Sequence, residues 1–85
     1  LQQPRGVAVG AQGEIYVADF GNSRIQQFEG DTKFVRQWGK SGDLPGQFKE
    51  VCGVDVGPNG DVYVADTWNH RIQQFSPEGK YVREW

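Results

Sequence analysis

The 85 residues carry a net charge of −2, with 36% hydrophobic and 24% charged side chains. A chain this short holds one small domain whose lone core is marginal, and its charge gives no bulk drive toward nucleic acid or an anionic membrane. The single cysteine, Cys52, excludes an internal disulfide.

No apolar run approaches the ~18 residues of a membrane span, and no basic-then-apolar leader is present. The expectation is a cytoplasmic chain if it is expressed as it stands. There is no methionine and the first residue is Leu1. The chain is therefore expected to be a segment of something longer, excised or designed. Glycine at 12 residues and aromatics at 13% favour short strands and tight turns over helices.

In chain order, four short runs rich in Val, Ile, Phe, Tyr or Trp predict strands over 6–9, 14–18, 24–28 and 34–38. The same pattern then returns. Residues 4–38 align with 51–85 at a constant offset of 47 without gaps, and 19 of the 35 aligned positions are identical. That is too many for shared composition alone, so the chain is a repeat. Leu1-Gln2-Gln3 sits one period before Phe48-Lys49-Glu50. The predicted units are 1–47, a blade with its connecting linker, and 48–85, a second blade.

Turn chemistry supports the strand limits. In Gly57-Pro58-Asn59-Gly60 the proline presets φ and the last glycine accepts a left-handed backbone. Pro77-Glu78-Gly79 does the same one connection later, while Gly30-Asp31-Thr32 predicts a differently shaped turn, because threonine is poor at positive φ. Ile15 and Val17 point to one face of the second strand, Tyr16 and Ala18 to the other. Sheets apolar on both faces must be covered on both. Four-stranded units of this length, stacked face to face, are β-propeller blades.

The run Pro4-Arg5-Gly6-Val7-Ala8-Val9, then Ile15-Tyr16-Val17-Ala18-Asp19, then Asn22-x-Arg24-Ile25-Gln26-x-Phe28 resembles the NHL repeat. The second unit returns it as Val62-Tyr63-Val64-Ala65-Asp66 and Asn69-x-Arg71-Ile72-Gln73-x-Phe75. Departures are Gly10 and Gly57, where an aspartate is common in the family, and Val51-Cys52 in place of Pro4-Arg5. The resemblance implies an all-β propeller, commonly of six blades. Two four-stranded antiparallel blades cannot close one alone. Closure by oligomerisation, with three chains favoured, or as part of a longer chain is therefore expected.

Asp19-x-x-Asn22-x-Arg24 and Asp66-x-x-Asn69-x-Arg71 are read as structural. Asp and Asn cap the turn and Arg pairs with a carboxylate, since a catalytic site needs one special blade. The positions that differ between copies are more informative. Phe20-Gly21 becomes Thr67-Trp68, and Ser23 becomes His70. Arg5, Phe20, Ser23, Lys40, Trp68 and His70 are the candidate ligand or partner surface on the linker-side face, where an exposed Trp makes a plausible hot spot. The bland alternative packs Trp68 against a neighbouring blade and leaves His70 solvated. Asp55, in place of Ala8, needs a hydrogen-bonding partner if it is covered. One Asp, one His and one Cys at unrelated spacing make no metal signature, and no catalytic set, cofactor or phosphate loop is predicted.

Three functions compete. A non-enzymatic scaffold that self-associates and binds protein or peptide through one face is preferred. RNA binding, as in NHL proteins of the tripartite-motif type, is disfavoured. The first 47 residues carry five basic and five acidic groups, and the remainder four against six. A share in a metal-dependent lyase or hydrolase of NHL-like fold would need differing residues on several blades.

Overall fold

A computed structural model describes residues 4–30 and 33–85. The expectations for Leu1-Gln2-Gln3 and for the shape of the turn at Asp31-Thr32 lie outside the described residues. The chain is all-β. Strands β1 (Pro4–Val9), β2 (Ile15–Asp19), β3 (Arg24–Glu29) and β4 (Lys33–Trp38) form one antiparallel sheet in sequence order. Strands β5 (Val51–Val56), β6 (Val62–Asp66), β7 (Arg71–Phe75) and β8 (Tyr81–Glu84) form a second. The second strands begin at Ile15 and Val62, one residue later than the apolar pattern implies for Glu14 and Asp61, and run through the aspartates.

Both sheets carry the same irregularities. A register shift falls between Pro4 and Gly6 and again between Val51 and Gly53. Another separates Gln27 from Phe28, and its twin separates Gln74 from Phe75. Each extra residue bends its strand and increases the local twist. Short 3₁₀ turns, Phe20–Asn22 and Thr67–Asn69, join the second and third strands of each sheet. Each ends on a non-glycine residue in the left-handed region, Ser23 at φ 52° and His70 at φ 54°. The Gly57-to-Gly60 turn closes with Gly60 N–H donating to the Gly57 carbonyl at 2.9 Å, and Gly60 lies at φ 85°.

The core lies between the sheets. The first contributes Tyr16, Ala18 and Ile25, with Trp38 at its edge; the second contributes Val51, Val62, Val64 and Phe75, and the segment leading into it adds Phe48. Tyr16 meets Trp38 edge-on at 6.2 Å between ring centroids, Trp38 meets Phe75 at 5.7 Å, and Phe48 completes the row at 5.7 Å from Phe75. Tyr16 Oη also donates to the Pro77 carbonyl at 3.3 Å. The innermost strands approach closely at Gly6. A Cβ there would sit 3.0 Å from the Cys52 oxygen and 3.2 Å from Gly53 Cα.

The sheets therefore use opposite faces at their junction. On β2 the alternate residues Tyr16 and Ala18 are buried; on β6 it is Val62 and Val64. Each fully buried large side chain contributes about 1.5–3 kcal/mol, so this stagger decides which face of each blade is stabilised.

Candidate functional site

The linker, residues 39–47, folds over the second 3₁₀ turn, so linker and turn share one end of the molecule. Asp66 is fully buried there. Its Oδ1 accepts the Lys49 N–H at 2.7 Å, and its Oδ2 accepts from Asn69 Nδ2 at 2.9 Å, Arg71 Nε at 2.9 Å and Gln73 Nε2 at 3.3 Å. Arg71 then reaches outward. Its two Nη atoms donate to the carbonyls of Asp43, Leu44 and Gln47 and to Glu84 Oε1. A guanidinium suits this work because its donors are fixed in a planar fork.

In the first blade Asp19 Oδ2 accepts from Asn22 Nδ2 at 3.0 Å and Arg24 Nε at 3.2 Å. With the Gln26 amide turned so that its oxygen faces Arg24, that oxygen accepts from Nε and Nη2 as well. Neither aspartate caps its 3₁₀ turn as the sequence implied. The carboxylates accept from the Asn and Arg side chains instead, and Asp66 also from the Lys49 backbone, because a buried charge is stable only with several charge-assisted partners.

Gln73 is a residue that the sequence reading missed. It is fully buried, donates to the Gln47 carbonyl at 2.7 Å and accepts the Gly46 N–H at 2.8 Å, so it holds the linker from both sides. Its signal was present: Gln26 and Gln73 are identical polar residues that follow a repeated isoleucine in matching strands.

Beside this network lies a hollow of about 340 Å³ lined by Phe20, Ser23, Ser41, Lys49, Glu50 and Trp68. It sits between the two blades on the linker-side face. Arg5 stacks over the Phe20 ring with its guanidinium carbon 4.2 Å from the centroid, a cation–π contact. Trp68 keeps 61% of its surface exposed. Arg5, Phe20, Ser23 and Trp68 are thus gathered at one place. Lys40 and His70 do not line the hollow. Lys40 lends its carbonyl to Phe48 N–H, and exposed His70 supplies the left-handed backbone that ends its turn. Glu50, which the sequence reading did not single out, lines the hollow and lies at φ 54°, a costly conformation for a non-glycine residue.

Asp55 is exposed and accepts the N–H of Val56 at 2.8 Å. Cys52 is a half-buried free thiol. Burial raises the Tyr16 phenol above its ordinary pKa, and the charge of Glu14 adds to the rise; Arg36 opposes it and Glu78 reinforces it. Among the described residues no cluster of three His, Cys, Asp or Glu side chains could hold a metal ion, and no helix is long and apolar enough to cross a membrane.

Two twisted four-stranded antiparallel sheets, stacked face to face and joined by a linker that packs on the second, define a pair of β-propeller blades. The family model for the NHL repeat matches residues 1–28 and 52–75, more than half of the chain. The chain belongs to the NHL-repeat family. It is 47% identical over 45 residues to Protein brain tumor of Drosophila melanogaster, an alignment that takes in 53% of this chain and 4% of that protein. Among solved structures, a streptogramin B lyase superposes with a TM-score of 0.73 at 14% identity, over 99% of this chain and 26% of that one. Virginiamycin B lyase from Staphylococcus aureus gives 0.75 at 17% identity, over 99% and 27%. These likenesses show the propeller fold, and the chain spans about a quarter of either lyase.

Proposed function

We propose that this chain is a non-enzymatic propeller module. It assembles with further blades into a scaffold and presents its linker-side face to a protein or peptide partner. The observation that carries the reading is the pairing of Phe20 with exposed Trp68 around one hollow. Phe20 aligns with Thr67, and Trp68 with Gly21, so the repeat itself requires neither ring. An exposed tryptophan flanked by a cation on an aromatic ring is the composition of an interface hot spot. The repeated Asp-Asn-Arg set is occupied in holding turns and linker, which supports a structural role for it over catalysis. The balance of charges within each repeat supports a protein partner over nucleic acid.

The test is selection of 12-residue peptides from a random display library, followed by anisotropy titration of the selected peptide. Trp68→Ala should weaken binding about thirtyfold, the ~2 kcal/mol of a hot spot, with the β-sheet circular dichroism unchanged. Equal binding by the variant would contradict the reading. Loss of the β signal would make Trp68 a packing residue instead.

A further inference from the structure

The opposite face usage of the two blades leaves two different faces bare. In the first blade Ala8, Tyr16, Ala18 and Ile25 are 7%, 1%, 0% and 0% exposed, because the second blade covers them. Their counterparts one period later are Asp55, Tyr63, Ala65 and Ile72; Asp55 and Ile72 are exposed, and Tyr63 and Ala65 only half-buried. Ile72 is 40% exposed, and these four residues line a shallow hollow of about 300 Å³ with Gly53 and Val54. The first blade's other face is bare in the same way. Val7 and Val9 are 64% and 65% exposed, whereas Val54 and Val56 pack on the core. Ile15, Val17 and Phe28 are half-buried, whereas Val62, Val64 and Phe75 are buried.

The junction inside the chain is thus a template. It joins the Tyr16 face of one blade to the Val62–Val64 face of the next. The chain leaves one more Tyr face, on the second blade, and one more Val face, on the first. We propose that these two surfaces bind each other between copies of this chain, head to tail, in a seam that repeats the internal junction. This rests on reading the chain as a propeller module.

Backbone clearance supports the same occupant. At the internal junction the Cβ position of Gly6 is crowded by Cys52 and Gly53 backbone, so any side chain there would push the inner strands apart by a few tenths of an ångström. Gly53 is its twin, yet a Cβ there would meet only Ala65 Cβ, at 3.6 Å. Among the described residues nothing crowds a Cβ at position 53; the β1 strand of a second copy would. The polar contacts repeat too. Tyr16 and Arg36 both donate to the Pro77 carbonyl, and their twins Tyr63 and Arg83 would meet the Gly30 carbonyl of the second copy. The two junctions differ at several positions, among them Val62 against Ile15, Cys52 against Arg5 and Pro77 against Gly30. Asp55 stands where the internal junction has Ala8, and Thr32, outside the described residues, where Trp38 leans on Gly79. The seam therefore opens before the internal junction on dilution. Because the faces differ, the contact is heterologous and closes as a ring or grows. With two blades per chain and propellers of about 4–8 blades, three copies give the six blades the family resemblance implies.

Light scattering after size exclusion tests the seam. The wild-type chain should run at three times its 9.5 kDa mass; two or four copies would keep the seam and change only the ring. Gly53→Arg and Val7→Lys should each abolish the ring. A variant that loses ring and β signal together still supports the seam, because these side chains have little to touch within one chain. Mixed, the two variants should pair at twice the chain mass, since each retains the surface that the other lacks. A folded wild-type chain at single-chain mass would overturn the proposal. So would a Gly53→Arg ring of unchanged mass, or folded variants that fail to pair. Peptide binding through Trp68 is read separately, so failure of that reading leaves these masses untouched.

Discussion

Arg24 and Arg71 occupy the same place in their blades and are wired differently. Arg24 is 27% exposed, and its ion pair is with Asp19. Arg71 is 10% exposed, binds Asp66, and gathers three linker carbonyls and Glu84. The difference comes from residues 39–47, which precede the second blade and fold onto it. In the second blade the motif thus fastens a connection between blades as well as its own turn. What surrounds the arginine sets its contribution.

The largest way to break this comparison is Arg71→Ala. It strips a buried carboxylate of its cation and should cost about 3 kcal/mol, in the range for breaking a buried pair. Arg24→Ala should cost about 1 kcal/mol, closer to an ordinary hydrogen bond. Urea denaturation of both variants checks the ranking, and equal losses would erase the proposed role of the linker.

A pH titration gives the next effect. The folded state holds the Tyr16 phenol protonated beyond its ordinary value, so the unfolded chain releases that proton first. The stability this adds is fully present below about pH 10 and falls as pH rises through the folded value. Tyr16→Phe should flatten that decline in thermal melts between neutral and strongly alkaline pH. An unchanged slope would place the phenol in solvent.

The smallest effect concerns the paired turn ends. Ser23 and His70 both sit at positive φ, where glycine is free of Cβ strain but loses more entropy. Those terms oppose each other, so Ser23→Gly and His70→Gly should change stability by less than about 0.5 kcal/mol. His70→Gly, which lies outside the hollow, should also leave peptide binding intact. If His70→Gly weakens binding tenfold, the imidazole belongs to the recognition surface after all.

The blade architecture was legible because it is written twice. Repeated Tyr-Val-Ala-Asp strands, the Pro-Asn-Gly turn and the offset of 47 placed eight strands to within a residue or two at most ends. The gathering of Arg5, Phe20 and Trp68 was legible only as a shared face, since their contact depends on how the blades stack. Which face of each blade is buried was not legible at all. Tyr16 and Tyr63 are identical in sequence and local pattern, and only the presence of a neighbouring blade separates them. Nor did spacing reveal Gln73, whose two bonds go to a linker some 26 residues away.

Hydroxyl-radical footprinting of matched residues tests most directly the central claim, that each blade face awaits the same neighbour. Ile25 and Ile72, and Tyr16 and Tyr63, are read in one digest across a dilution series. At high concentration the account predicts that Ile72 and Tyr63 are protected as well as Ile25 and Tyr16. On dilution they should become reactive first, while the internal pair stays protected. Rapid oxidation of Ile72 and Tyr63 at every concentration, in a chain that remains folded, would contradict it.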